Sequence, residues 1–287
     1  MRNILPVLTV ILALLVVWYA AAFQLNKQWA LDMAARQDRV MTTQQLIADT
    51  WAQDKPKLPA PHQVAVELWE TVALKNVTSR RSLVYHAWVT LSATLAGFGL
   101  GTLLGTLLAV GIVYSRVMDL SVMPWVIASQ TIPILAIAPM IIVVLNAIGI
   151  SGLLPKAMIS MYLSFFPVVV GMVKGLRSPS QMELDQMCTW NASGVQEFIK
   201  LRLPASMPYL FASLKIAMAA SLVGAIVGEL PTGAVAGLGA RLLAGSYYGQ
   251  TIQIWSALFM AAAVAAAAVG IIGIVQRATL KRMGLDR

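Results

Sequence analysis

Few residues in this chain have the types and spacing that catalysis or metal binding requires. Its 287 residues include two histidines, His62 and His86, and one cysteine, Cys188, so no Cys/His ligand spacing for a metal occurs. The sequence contains no Gly-Lys pair, which excludes a phosphate-binding loop for ATP, and no GxSxG nucleophile signature. We therefore predict a protein that is not an enzyme, with no catalytic residue, no metal and no directly bound cofactor.

The polar side chains that remain as candidates interrupt apolar segments. Prolines divide the apolar stretch 121–148, and an interior proline frees a backbone carbonyl, which is tolerated where helices line a polar cavity. A carboxylate near membrane depth costs several kcal/mol unless it is hydrated or paired, so Glu229 at the end of another apolar stretch is also a candidate. The residues predicted to line such a polar cavity, and any pathway through it, are Ser129, Gln130, Pro133, Asn146 and Glu229. For Glu229 an alternative stays open, namely solvation at the membrane interface with Arg241 as ionic partner.

Composition places these residues in a membrane protein. The chain is 59% apolar and 11% charged, with a mean hydropathy of +0.75, whereas soluble domains carry roughly 25% charged residues. Its net charge of +9 is spread along the sequence without an aromatic and basic cluster, which argues against nucleic acid as a partner. Such an excess of Lys and Arg is typical of cytoplasmic loops that face anionic membrane lipid.

Six apolar segments are long enough to cross the hydrocarbon core, which requires roughly 20 residues per helix. They are residues 4–23, 84–113, 121–148, 155–175, 209–230 and 252–276. We therefore predict an all-α, polytopic membrane protein with six transmembrane helices and an N-terminal transmembrane anchor at 1–23. A cleaved signal peptide ending in the Ala20–Ala22 run is the alternative for the first segment, and its long apolar run favours a retained anchor.

The distribution of basic residues predicts the orientation. Four basic residues crowd the tail at 277–287, and others flank or occupy the segment 177–208, whereas the loops at 149–154 and 231–251 contain only Arg241. The positive-inside rule therefore places the tail and residues 177–208 in the cytoplasm, and six spans place the N-terminus there as well.

Residues 24–83 then form an external amphipathic segment. Apolar residues between Lys27 and Trp51 approximate one face of a helix, and Pro61 suits the first turn of a second helix. In the core that follows, residues 84–276, small residues at four-residue spacing predict close helix packing in lipid. They are Gly97, Gly101, Gly105 and Ala109.

The segment 177–208, which we call the polar hairpin, is longer than a turn requires. Ser178 is predicted to cap a first helix, with Pro179 in its first turn and Gln181 as the capping-box partner. That helix is predicted to end at Asn191, a residue favoured in the left-handed conformation. Ser193 is predicted to cap a second helix, which ends at the Leu-Pro pair 203–204. A well-capped connector and a docking surface for a cytosolic partner both agree with this pattern.

The polar hairpin resembles the cytoplasmic loop of binding-protein-dependent ABC importer permeases. The signature of that loop is Glu-Ala-Ala, three residues, Gly, nine residues, Ile, one residue and Leu-Pro. The positions in register are Asp185, Gln186, Met187, Asn191, Ala192, Ser193, Gly194, Leu203 and Pro204. The spacing is kept although several residue types differ. Motifs such as GFGLG at 97–101 and GE at 228–229 are similar to the nitrate, sulfonate and taurine branch, which includes importers of riboflavin and thiamine-precursor pyrimidines.

This resemblance implies a type I importer in the bacterial inner membrane. Two permease subunits, identical or not, would form the pathway, and separate ABC ATPase subunits would bind ATP and grip the loop. A periplasmic binding protein would deliver a small polar or anionic organic solute, either sulfonate, taurine or nitrate-like or a vitamin or pyrimidine-type heterocycle. An ion-coupled secondary transporter is the main alternative, but it predicts inverted repeats and buried ion ligands that the sequence does not display.

Overall fold

The computed structural model describes residues 4–38, 40–231 and 235–285, and all of its regular structure in those ranges is helical. Parts of the predicted anchor and tail, residues 1–3 and 286–287, lie outside them. The helices are α1 Ile4–Arg36, α2 Thr43–Ala52, α3 Pro61–Trp69, α4 Leu83–Tyr114, α5 Arg116–Ser129, α6 Ile134–Ala147, α7 Leu153–Leu176, α8 Gln181–Thr189, α9 Gly194–Glu197, α10 Leu203–Glu229, α11 Leu238–Tyr248 and α12 Thr251–Arg282. A π-helical turn follows α3 at Glu70–Leu74, and another follows α9 at Phe198–Arg202.

Five of the predicted spans are single helices long and apolar enough to cross a membrane, and the third is broken. Helices α5 and α6 are bent by 100° at residues 130–133. Each has 14 residues, or about 21 Å of helix, so neither alone crosses a core about 30 Å thick. The predicted continuous span 121–148 is therefore wrong in detail, because the chain turns sharply where Pro133 withholds a backbone donor.

One ion pair and the chain connection place the two ends of the bent pair at opposite ends of α7. At the C-terminal end of α7, Arg177 forms a 2.8 Å ion pair with Asp119 of α5. The start of α5 and the end of α7 therefore lie on one side. Because α7 is a 24-residue helix, its beginning lies on the opposite side, and α6 ends just before it. The bent pair therefore connects the two ends of α7 and is the sixth candidate span.

The chain divides into two compact units, of which the first contains the residues up to Ala87 and Ala240–Ala261. Asn26 of α1 is the polar centre of this unit. Its buried amide donates to the Thr50 and Leu58 carbonyl oxygens at 3.1 and 2.8 Å and accepts from the Lys57 amide at 2.9 Å. The Trp18 ring stacks on Phe259 with 5.7 Å between ring centroids. The Asn26 contacts therefore join the C-terminal half of α1 to residues 50–58, and the Trp18 contact joins α1 to α12.

Helix α1 also extends beyond the predicted apolar span at 4–23, reaching Arg36. The predicted continuous helix face from Lys27 to Trp51 is wrong, since Asp38 has a φ of +49° and a new helix starts at Thr43. The predicted start of the next helix at Pro61 is confirmed.

The second unit contains Trp88–Gly239 and Ala262–Arg287, and α7 is its central helix. Glycines let the backbones of α4 and α10 approach α7 closely. A Cβ added to Gly224 of α10 would lie 2.7 Å from the Ser160 Cα, and one added to Gly105 of α4 would lie 2.8 Å from the Phe165 carbonyl oxygen. Real side chains do not tolerate such distances. The predicted close packing of the small residues of α4 is therefore confirmed on the face of α4 that contacts α7.

Candidate functional site: the polar hairpin

The first helix of the polar hairpin, α8, starts with a complete capping box. The Ser180 hydroxyl accepts from the Glu183 amide at 3.4 Å, and the Glu183 carboxylate accepts from the Ser180 amide at 2.7 Å. These hydrogen bonds, from the backbone and the hydroxyl of Ser180, lower the pKa of Glu183. The predicted cap at Ser178 is wrong by two residues. Its hydroxyl instead donates to the Gly175 carbonyl at the end of α7.

The turn between the two hairpin helices has the predicted geometry. Asn191 has a φ of +52°, the left-handed conformation that ends many helices. The Ala192 amide donates to the Met187 carbonyl at 3.0 Å, closing the C-terminal end of α8. Two residues later the Ser193 hydroxyl accepts from the Gln196 amide at 3.3 Å, and the Gln196 side chain accepts from the Ser193 amide at 2.9 Å. Local hydrogen bonds therefore fix the angle between α8 and α9.

The predicted end of the second helix at the 203–204 pair is wrong, because the chain continues through a π-helical turn into α10. A continuous helical run extends from Gly194 to Glu229. Pro204 lies in the first turn of α10, where its missing amide proton breaks no regular hydrogen bond. The π-helical turn just before it shifts the hydrogen-bond register of the helix. The hairpin is thus an extension of a membrane-spanning helix rather than a separate loop.

Arg202 ties this continuous run to two other spans. Its Nε donates to the Glu197 carboxylate at 2.5 Å, and its Nη1 donates to the Leu176 carbonyl at the end of α7 at 2.9 Å. Its guanidinium also lies 5.8 Å from the centre of the Tyr114 ring at the end of α4. Phe198 adds an edge contact to the same ring, with 6.0 Å between centroids. These contacts connect the base of the hairpin to the C-terminal ends of α4 and α7 and to the start of α10.

The outer face of the hairpin exposes large apolar side chains. Met182 is 80% exposed, Trp190 66% and Val195 67%. A concavity of about 480 Å³ lies between α8 and the following helical turn, and its lining includes Gln186, Trp190 and Lys200. Exposed apolar surface of this kind, rimmed by polar groups, is typical of a protein interaction site.

Most of the predicted hairpin residues lie on exposed surface. Asp185, Gln186, Asn191, Ser193 and Gly194 are exposed, while Met187 and Ala192 are half-buried. Leu203 and Pro204 are half-buried at the start of α10 and do not belong to the exposed face.

The predicted pathway residues fall into two environments. Ser129, Gln130 and Pro133 lie together at the break between α5 and α6, where Gln130 and Pro133 are exposed and the Ser129 carbonyl accepts from the Tyr162 hydroxyl. Asn146 is exposed near the end of α6, the opposite end of the bent pair from the start of α5.

Glu229 is different, because its carboxylate is fully buried within the second unit. Thr90 Oγ1 donates to it at 2.9 Å, the Gly239 amide donates at 2.7 Å, and Lys156 Nζ lies 4.0 Å away. The alternative of a solvated Glu229 is therefore wrong. The Thr90 hydroxyl oxygen also accepts from the Leu238 amide at 2.8 Å, so the chain that follows α10 is held against α4.

Sequence reasoning missed Thr90, Lys156 and Arg202 as partners in these networks. Lys156 lies at the start of the predicted span 155–175, and an ionisable residue within a span often pairs with another such residue. No comparable signal identifies Thr90, since a threonine in a span usually bonds to its own helix.

Five single apolar helices, one bent helix pair and the close helix packing at glycines define a polytopic helical membrane protein with an exposed polar hairpin. Residues 101–284 match the family described as the binding-protein-dependent transport system inner membrane component. This match covers more than half of the chain, so the protein belongs to that family, the permease subunits of ABC importers. The resemblance inferred from the hairpin motif is confirmed.

Individual relatives agree with this assignment. The chain is 31% identical over 202 residues, 70% of its length and 77% of the relative's, to a probable ABC transporter permease protein of Haemophilus influenzae. It is 31% identical to the formylaminopyrimidine transport permease protein ThiX of Halalkalibacterium halodurans, over 63% of this chain and 68% of the relative. It is 30% identical to the riboflavin transport system permease protein RibX of Chloroflexus aurantiacus, over 64% of this chain and 65% of the relative.

Proposed function

We propose that this permease forms part of the translocation pathway of an ATP-driven importer and that its polar hairpin docks onto a separate ABC ATPase subunit, which binds the ATP. The observation that carries the proposal is the combination of an exposed apolar face with a continuous helical connection to the membrane. Met182, Trp190 and Val195 are exposed, so a partner that covers them gains apolar burial, of roughly 25 cal/mol per Å².

Motion of the docked hairpin would pass to the spans by two routes. The helical run from Gly194 into α10 carries it along one axis. The Arg202 contacts with the end of α7 and with Tyr114 of α4 carry it to two neighbouring helices. Caps at Ser180 and Ser193 keep the hairpin from fraying under load.

The pathway itself requires a second permease copy, identical or not, against which the exposed break between α5 and α6 would face. Ser129, Gln130 and Pro133 lie at this break, where a broken helix offers free backbone groups to a polar solute. The buried Glu229 would stabilise the packing of the helices around the pathway and would not contact the solute.

The cargo would be a small polar or anionic organic solute that a periplasmic binding protein delivers. Sulfonate, taurine or nitrate-like solutes and vitamin or pyrimidine-type heterocycles both remain candidates, and the names of ThiX and RibX support the heterocycle. The protein would lie in the inner membrane with both termini in the cytoplasm and α1 retained as a span.

Introducing arginine on the hairpin tests the coupling role. Asp185→Arg and Ala192→Arg place a bulky cation on the docking face, so we expect the ATPase to be lost on co-purification and ATP-dependent uptake to fall at least tenfold. Gln44→Arg, on exposed α2 of the first unit, is the matched control and leaves both unchanged. Intact association and uptake in both hairpin variants would rule out the coupling role, and uptake driven by an ion gradient without ATP would instead support a secondary transporter.

A further inference from the structure

A groove between α10 and α12 in the second unit contains two cations without an acidic partner. It has a volume of about 490 Å³, and its lining includes Lys215, Gly270, Gly273 and Arg277. Of the ion pairs that the described residues form, none includes either cation. Helix α12 contains no Asp or Glu, and the only acid of α10 is Glu229 at its far end.

The two cations converge on Gly273. A Cβ added to this glycine would lie 3.8 Å from Lys215 Cε, and the Arg277 Nε donates to the Gly273 carbonyl at 3.4 Å. No atom lies within 4 Å of a Cβ added to Gly270, so the floor of the groove is open. The glycines therefore leave room for a group that both cations can reach.

The surroundings of the groove are apolar. Val269 and Leu280 belong to its lining, and the isoleucines next in sequence to lining residues, Ile216, Ile271 and Ile274, are each about 60% exposed. Gly273 lies nine residues before the end of α12 at Arg282, or about 14 Å along the helix. Helix α12 has 32 residues, or about 48 Å, and spans a hydrocarbon core about 30 Å thick, so Gly273 lies close to the boundary between acyl chains and head groups. Basic clefts between helices at this level recruit anionic lipid.

We propose that this groove binds the phosphate of an anionic phospholipid, with Lys215 and Arg277 as ligands and the flanking isoleucines against the acyl chains. Arg277 contributes hydrogen bonds to the phosphate oxygens, and Lys215 contributes a flexible point charge from the other helix. The lipid would join α10, the helix that continues into the polar hairpin, to α12. This inference does not depend on the proposed docking of an ATPase.

Native mass spectrometry of the full-length protein in mild detergent tests the site. We expect retention of added cardiolipin or phosphatidylglycerol but not of phosphatidylcholine. In the double variant K215Q/R277Q the apparent affinity should fall roughly ten- to thirtyfold, since each basic residue near the surface contributes about 1 kcal/mol. The double variant K281Q/R282Q removes the same charge one turn further on and should retain the lipid. Equal loss in both pairs would show diffuse attraction and overturn the site.

A second variant leaves every charge in place. Gly270→Leu adds a side chain where the groove is open and removes a helical glycine, so it should fold normally and still lose the lipid. Full retention in Gly270→Leu, or equal retention of phosphatidylcholine, would overturn the proposal. So would an inorganic phosphate competitor that displaces the lipid at stoichiometric amounts, or binding that disappears when the permease is purified within its assembled importer.

Discussion

Two carboxylates of this chain, Asp185 and Glu229, lie in opposite kinds of structure. Asp185 is on the exposed face of the polar hairpin, where its side chain accepts from Gln181 four residues away. Glu229 is fully buried and accepts from Thr90, 139 residues away in the sequence. The hairpin is built from local hydrogen bonds and leaves its side chains free to meet a partner. The Glu229 network is built from distant segments and leaves no side chain free.

This difference predicts that function and stability respond to mutation in separate places. A buried carboxylate holds the fold, because removing it leaves Lys156 and two donors without their acceptor. An exposed carboxylate on a capped helix contributes little to the fold, so its side chain is available to bind a partner. Substitutions in the hairpin should therefore change recognition, and substitutions in the Glu229 network should change stability.

The largest effect should come from Glu229→Ala. Loss of one member of a buried charged network costs about 3–5 kcal/mol, which we expect as a decrease in the free energy of unfolding measured in mixed micelles. Asp185→Ala is the matched control and should change that free energy by less than about 0.5 kcal/mol. Similar losses from the two alanine variants would contradict the division between a structural and a recognition carboxylate.

Gly224→Leu should have the next largest effect. Its added Cβ would lie 2.7 Å from the Ser160 Cα on α7, so the two helix backbones must separate, at a cost of about 1–3 kcal/mol or more. The same substitution at Gly99 of α4, where no atom lies within 4 Å, is the control. Thermal unfolding of both variants checks this, and a Gly99→Leu protein as unstable as Gly224→Leu would show that helix packing is not the cause.

The sequence predicts those features whose contacts are between residues close together in the chain. The Asn191 turn and the Ser193 cap are predicted correctly because their partners lie within five residues. The number of crossings follows from apolar length. The 100° bend at residues 130–133 is not predictable as an angle, since prolines indicate only that a helix is disturbed there. The partners of Glu229 are not predictable either, because Thr90 and Lys156 meet it only through the packing of three helices.

The cap of α8, which is Ser180 and not the predicted Ser178, gives a test with a smaller expected effect. Ser178 and Ser180 are both followed three residues later by a residue able to complete a capping box, Gln181 and Glu183. The structure uses Ser180, so Ser180→Ala should destabilise α8 by about 1 kcal/mol. Ser178→Ala removes only a bond to the end of α7 and should cost less. Amide hydrogen exchange within α8 distinguishes them, and a greater loss of protection in Ser178→Ala would restore the original prediction.

The smallest effect is the pH dependence of the same cap. Hydrogen bonds from Ser180 lower the pKa of Glu183, so the folded helix favours the ionised carboxylate. Its stabilising contribution is therefore complete above the ordinary pKa of Glu, about 4.3, and is lost as the pH falls through the lowered value. Amide exchange at the start of α8 should accelerate on acidification. The Glu183→Gln protein should lack that response, and an identical pH profile in the two proteins would exclude Glu183 as its source.

The most direct test of the central claim uses the exposed Cys188 on α8. In membrane vesicles that contain the assembled importer, a short thiol-reactive cross-linker at Cys188 should join the permease to its ATPase subunit, and an impermeant thiol reagent should reach Cys188 only from the cytoplasmic side. The Cys188→Ser protein should give neither product. Labelling of Cys188 from the external side, with no cross-link to the ATPase, would contradict the assignment of the polar hairpin as its docking surface.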